Sequence, residues 1–195
     1  MSGRLVFRMT PTPLLLLVLV PALIVGPAPS SSAADVFGGY SSLRLHGDDV
    51  PGASLAVSWP LRTCLALVTE VSGQFGLVRG EDLQEWSLLA GPSFSPWSGH
   101  RLRPFVHAKA GLVRSRRQVD VFGVAISPLG VCDATCPAEI GFAAEAGGGL
   151  DLRLSPRFVL RLVQADYRLV RLESDSAGRL RLSAGLVLHF GGPPK

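Results

Sequence analysis

The chain has 195 residues and a formal charge of +4, a length that suits one domain. Its Lys and Arg are scattered, without the basic stripe and interleaved aromatics that a nucleic-acid surface needs, so no nucleic-acid partner is expected. Cys64, Cys132 and Cys136 have no histidine near them in sequence. The two thiolates of the CDATC pair leave a zinc shell half empty, so no metal or cofactor is expected.

The first segment reads as an address. Arg4 and Arg8 form a positive n-region, LLLLVLVPALIV (14–25) an apolar h-region, and SSSAAD (30–35) places small residues before Asp35. This is the pattern of a secretory signal peptide over 1–34. Pro21 interrupts the apolar run, which is also short beside the roughly 20 residues of a membrane-spanning helix. The mature domain is then 35–195, and because the leader holds two arginines and no acids, its formal charge is +2. In an exported protein the close pair Cys132 and Cys136 reads as a disulfide closing a tight loop. Cys64 reads as an inert packed thiol.

From residue 35 onward, period-two alternation recurs between turn residues, the pattern of strands. Eight are predicted: 35–44, 53–59, 63–75, 83–95, 102–113, 141–154, 157–170 and 179–190. The first does not phase clearly. In the third, Leu67, Val71 and Phe75 oppose Glu70, Ser72 and Gln74. In the fourth, Trp86, Leu88, Ala90, Pro92 and Phe94 oppose Glu85, Ser87, Leu89, Gly91 and Ser93. In the fifth, Pro104, Val106, Ala108, Ala110 and Leu112 oppose Arg103, Phe105, His107, Lys109 and Gly111. The sixth sets Phe142, Ala144, Ala146, Leu150, Leu152 and Leu154 against Ala143, Glu145, Asp151, Arg153 and three glycines. The seventh breaks phase, and a bulge near Val163 restores it by placing Ala165, Tyr167 and Leu169 with the leucines. In the eighth, RLRLSAGLVLHF, the leucines and Phe190 share one face and Arg179, Arg181, Ser183, Gly185, Val187 and His189 the other.

Connections alternate short and long. PLR, PWSGH and SP are tight, whereas 46–52, 77–82, 114–140 and 173–178 read as loops. An even-stranded meander closed on itself, with turns at one end and loops at the other, is the topology of an outer-membrane barrel. The polar faces carry Gly, Ser and Ala with single charges between them, which suits a narrow lumen better than a water-facing wall. Glu70, Glu85, Glu145 and Asp151 are therefore expected to pair inside with Arg103, Lys109, Arg161 and Arg181. The apolar faces run about 9 to 11 residues, enough for a tilted strand to cross a bilayer. Trp59, Phe94, Trp97, Phe158 and Phe190 lie near the tight turns, and Phe75, Trp86 and Tyr167 nearer the loops, like paired aromatic girdles. The fold class is thus all-β, an eight-stranded antiparallel up-and-down transmembrane barrel. The competing readings are a soluble secreted or periplasmic lipocalin-like barrel carrying an apolar ligand, and an outer-membrane lipid-modifying enzyme.

DVFGGYSSLRL, SLLAGPSFS (87–95), RPFVHAKAG (103–111), FAAEAGGGLDLRLSPRFVLRLVQADY (142–167) and LRLSAGLVLHFG (180–191) together resemble the OmpA-like outer-membrane β-barrel family. The resemblance implies a barrel held in the outer-membrane bilayer of a Gram-negative cell envelope and inserted by the barrel assembly machinery. That machinery reads a last strand ending in an aromatic, a pattern that Gly185, Leu186, Leu188 and Phe190 match. The tail GGPPK and the long 114–140 segment depart from the family pattern. No His-x-Ser-Asn stretch like that of the lipid A deacylases appears, and porins with an aqueous channel need about 16 to 18 strands. A non-enzymatic structural protein is expected, with 114–140 either a binding loop or a hairpin extending strands five and six. A lipid-facing charge near mid-membrane costs about 2–4 kcal/mol. Leu182→Arg is therefore expected to impair assembly more than Arg181→Leu, read as the heat-dependent gel mobility of the folded barrel.

Overall fold

The computed structural model describes residues 33–191 apart from 46, 79, 80, 98, 99, 122, 123, 128, 129, 133–137, 174 and 175, with backbone alone for the strand residues between 119 and 132. The strands are β1 (Ala34–Leu45), β2 (Asp48–Arg62), β3 (Leu65–Val78), β4 (Glu81–Phe94), β5 (Leu102–Val121), β6 (Val124–Ser127), β7 (Gly130–Cys132), β8 (Glu139–Arg153), β9 (Phe158–Arg171) and β10 (Ser176–Phe190). Eight of them close into an antiparallel barrel in the order β1-β2-β3-β4-β5-β8-β9-β10. The seam runs from Ala34↔Phe190 to Arg44↔Leu180, so no barrel edge is left unpaired along it. The short β6 and β7 pair onto the loop end of β5 as a small hairpin. The predicted leader falls on residues outside the described ones.

All eight predicted strands are present; seven are longer than predicted, and β9 has the predicted length shifted by one residue. β2 starts at Asp48, β3 runs to Val78, β4 starts at Glu81, β5 runs to Val121 and β10 starts at Ser176. Three of the four expected loops are therefore mostly ladder, and 114–140 becomes strand extensions and a hairpin in the backbone. The physical reason is that the two-residue hydrophobic rhythm exists only where one face meets hydrocarbon. Beyond the bilayer the outer face meets water even where the inner face still packs, as at Val50 and Val78, so backbone pairing continues after the contrast between the faces has faded. The β1–β2 connection shrinks to two residues, of which Gly47 has φ 99°, as tight hairpins require.

Side chains divide as the pleat dictates. Leu55, Leu67, Leu112, Leu162, Leu169, Leu180, Leu182, Leu186, Val106 and Phe142 are exposed on the outside, while Leu43 and Arg181 are fully buried inside. β1, unphased from sequence, turns Phe37, Ser41, Leu43 and Leu45 inward. The irregularity in β9 lies at Leu162–Val163. Leu150 pairs with Val163 and Asp151 with Arg161, which leaves Leu162 unmatched. Both bulge residues face out, and Gln164, Asp166 and Arg168 thereby turn inward. The soluble-carrier reading fails on this division, because the aliphatic side chains look outward and the ions inward.

The interior is layered. Toward the loop end Leu43, Leu45, Val50, Val78 and Leu83 form one apolar cluster, and Leu89, Val113, Ala143, Val170 and Leu172 a second. Toward the tight-turn end Phe37, Ala56, Val159 and Val187 form a third, with Val68 packed on it. Charged side chains fill the space between.

Several glycines are explained by rings lying flat on the wall. A Cβ at Gly149 would sit 2.4 Å from the Val163 carbonyl oxygen and 2.7 Å from the Phe105 ring, and one at Gly185 2.3 Å from the Gly38 carbonyl oxygen and 2.9 Å from the Phe37 ring. On the outer surface Gly73 faces Trp86, whose ring atoms alone, at 2.8 to 3.1 Å, obstruct a Cβ. Phe75 meets Trp86 edge-on with centroids 5.2 Å apart, a favourable aromatic geometry. Gly73→Val therefore overpacks this spot by about 1–3 kcal/mol. Adding Trp86→Leu removes the obstruction and is expected to recover most of the loss, measured by urea unfolding of the lipid-reconstituted barrel.

Candidate functional site

The centre of the barrel is an ion-pair network contributed by strands all round the wall. Lys109 of β5 places Nζ 2.5 Å from Glu70 Oε2 and 2.8 Å from Glu145 Oε1. Arg181 of β10 pairs with Glu70, with Glu145 at 2.9 Å and with Asp166 at 2.8 Å. Arg168 of β9 donates Nε to Glu145 Oε2 at 2.8 Å and Nη2 to Ser72 Oγ at 3.3 Å. It reaches Glu85 at 3.5 Å, and Arg179 pairs with the other oxygen of Glu85. Ser72 and Ser87 hydrogen-bond at 2.8 Å beneath Arg168. His107 places Nε2 2.9 Å from Asp166 Oδ1 and 4.0 Å from Glu145 Oε1.

The charges balance. Glu70, Glu85, Glu145 and Asp166 face Lys109, Arg168, Arg179 and Arg181, all of them buried. Each ion has paid its desolvation and depends on its partners, since an isolated buried charge is far costlier than a paired one. Bidentate guanidinium geometry suits a place where several carboxylates converge.

A second unit lies nearer the tight turns. Arg161 donates Nε to Asp151 Oδ1 at 2.8 Å and Nη2 to Oδ2 at 3.1 Å. Its guanidinium is sandwiched between Phe37, 4.6 Å from the ring centroid, and Phe105, 4.1 Å away, a cation–π arrangement. Gln164 links the two units by accepting from Arg161 at 2.8 Å and donating to Asp166 at 2.7 Å.

Of the residues singled out from sequence, Glu70, Lys109, Glu145, Glu85 and Arg181 meet in the central network, and Asp151 meets Arg161 beside it. Arg103 is a correction. It lies opposite Asp151 in the ladder, but Arg161 occupies both oxygens of that carboxylate. Arg103 is half-buried with its Nε unpartnered, and among the described residues it makes no ion pair. Three network members escaped the sequence reading: Asp166, Arg168 and Arg179. Asp166 and Arg168 face inward only because of the bulge at Leu162–Val163, so that one irregularity carried the missing signal. Arg179 was legible as an inward residue of the last strand and was not assigned a partner.

His107, Glu145 and Asp166 offer ligand atoms within 4.8 Å of one another. Lys109, Arg168 and Arg181 already hold those carboxylates, so a metal cation there would meet three positive groups. The cluster is an ion-pair node. Cys136 and the side chain of Cys132 lie outside the described residues. Gly185 packs under the Phe37 ring, Leu186 is exposed, Leu188 is half-buried, and Phe190 closes β10 with its ring exposed.

No protein-family model matches the sequence, and no curated protein does. Solved structures do match. Neisserial surface protein A superposes with a TM-score of 0.55 at 15% identity, over 81% of this chain and 96% of that one. The attachment invasion locus protein Ail of Yersinia pestis superposes at 0.52 with 19% identity, over 81% and 99%. A second structure of Ail, bound to the heparin analogue sucrose octasulfate, gives 0.51 at 18% identity, over 80% and 98%. The fold is that of a small eight-stranded outer-membrane β-barrel.

In an outer-membrane barrel the outward aliphatic band meets hydrocarbon and the lumen is closed to it, which is the division found here. The same geometry revises the comparison between neighbouring positions 181 and 182. Removing Arg181 leaves Glu70 and Glu145 to Lys109 and Arg168, and Asp166 to His107 and Gln164. The buried node is then one positive charge short, and breaking a buried pair costs about 3–5 kcal/mol. Arg181→Leu is thus expected to destabilise the barrel at least as much as Leu182→Arg, measured as the urea midpoint of the reconstituted protein.

Proposed function

We propose that the protein is a non-enzymatic, closed barrel of the outer membrane that serves as a structural and surface-presenting element. The observation that supports this reading is the packing of side chains inside the barrel. A charge-balanced slab fills the middle, with apolar clusters between it and both ends, so a hydrated path meets hydrophobic obstruction twice. The non-enzymatic reading is supported by the state of the histidines. His107 faces Asp166 and Glu145, His189 hydrogen-bonds Asp35, and among the described residues neither bonds a serine hydroxyl. In this reading residues 1–34 direct export and are removed. The barrel assembly machinery engages the last strand through Gly185, Leu186, Leu188 and Phe190, and Cys132 and Cys136 form a disulfide in the 114–140 segment. That segment is the surface available to a partner, with no nucleic acid among its ligands.

Planar-bilayer recording of the reconstituted protein tests the closed lumen. No sustained single-channel conductance is expected. The double variant Leu43→Ser/Leu83→Ser, which wets the loop-side plug without touching the ion network, is expected to introduce brief openings. Steady conductance by the unaltered barrel would refute the proposal.

A further inference from the structure

The lipid-facing wall is uneven in one sector. On β4, β5, β8 and β9 it sinks into an apolar trough of about 410 Å³ whose lining includes Ala90, Ala108, Ala110, Ala144, Tyr167 and Leu169. The ladder shows how it is built. Ala90, Ala110, Ala144 and Leu169 form one cross-strand row, and Ala108, Ala146 and Tyr167 continue it toward the tight turns. Leu88, Leu112, Phe142 and Arg171 form the row on the loop side, and Trp86, Arg114 and Ile140 the row beyond. Alanines side by side leave a hollow that bilayer chains must fill, because a void forfeits dispersion contacts.

The loop-side rim of this trough is basic. Arg114 and Arg171 are exposed on the outer wall, and Arg116 stands two residues beyond Arg114 on the same face of β5. None of the three makes an ion pair among the described residues, although Asp82 and Glu173 are exposed at the same end. Arg116 keeps its Nε buried and without a hydrogen-bond partner. Arg114 sits in the Trp86 row, and tryptophan marks the level where hydrocarbon gives way to headgroups. Long basic side chains at that level reach up into the headgroup layer while their stems stay on apolar surface.

We propose that this sector is a lipid-binding site for a bisphosphorylated glycolipid of the loop-side leaflet. One acyl chain lies in the alanine trough and the phosphates lie against Arg114, Arg116 and Arg171. Three unpaired guanidinium groups match a headgroup carrying more than one phosphate better than a single phosphodiester, since each phosphate monoester holds close to two negative charges and accepts several hydrogen bonds. The site deepens the membrane reading and rests on it. A failure of that reading would appear separately, as loss of heat-dependent gel mobility.

Native mass spectrometry of the detergent-solubilised full chain tests the site by titration with four probes: bisphosphorylated lipid A, its dephosphorylated form, phosphatidic acid and phosphatidylcholine. One lipid A per barrel is expected, retained about tenfold more tightly than phosphatidylcholine. Arg114→Gln/Arg116→Gln/Arg171→Gln is expected to bring it down to the phosphatidylcholine level. Ala110→Leu/Ala144→Leu, which fills the trough and leaves the rim intact, is expected to weaken lipid A by about fivefold or more. All five positions face outward, away from the ion network, and unchanged gel mobility verifies folding. Equal retention of all four lipids would overturn the proposal. So would phosphatidic acid binding as tightly as lipid A, indifference to the filled trough, or a barrel dimer in place of the lipid adduct.

Discussion

An eight-stranded barrel is only just wide enough for its own side chains, so a charge fully buried inside is costly without an opposite one. That requirement organises the molecule. Glu70, Glu85, Glu145 and Asp166 come from β3, β4, β8 and β9, and Lys109, Arg168, Arg179 and Arg181 from β5, β9 and β10. Closure of the sheet is what brings them together, and the ion pairs in turn hold distant strands in one register. A slip of one residue in any strand would turn its charges into hydrocarbon and its leucines into the slab. Whether these ions add net stability is secondary to this, since buried pairs often only offset their own desolvation. Their clearest physical effect is to exclude the wrong registers.

The glycines and rings answer a related constraint. A wall this tightly curved has little room for aromatic side chains inside, yet Phe37 and Phe105 are both there. Each lies flat across neighbouring glycines, and together they clamp Arg161. The same device on the outside seats Trp86 over Gly73. Small residues in these strands therefore serve two ends. Some make room for the filled lumen. Others make room for one particular ring.

Much was legible in the chain before any coordinates. The alternation in β3, β4, β5, β8 and β10 assigned inside and outside correctly, because hydrocarbon imposes a pattern that few other environments do. The same alternation understated strand length, since it fades where the outer face leaves hydrocarbon for water. It also misjudged Arg103, whose facing was readable but whose neighbour was already taken by Arg161. In β9 the broken phase was itself the informative feature. The bulge at Leu162–Val163 converts Asp166 and Arg168 from apparent lipid-facing errors into the centre of the network.

The sequence by itself determined the number of barrel strands, their up-and-down order and, in β3, β4, β5, β8 and β10, which face looks outward, because all three follow from local periodicity and connection length. Tertiary structure alone decided which acid meets which base, where the apolar clusters pack inside the barrel, and that the alanines of β4, β5 and β8 lie side by side. Those are relations between residues far apart in the chain, 96 positions for Arg168 and Ser72 and 154 for His189 and Asp35. They are fixed by shear and closure, which a one-dimensional pattern does not encode.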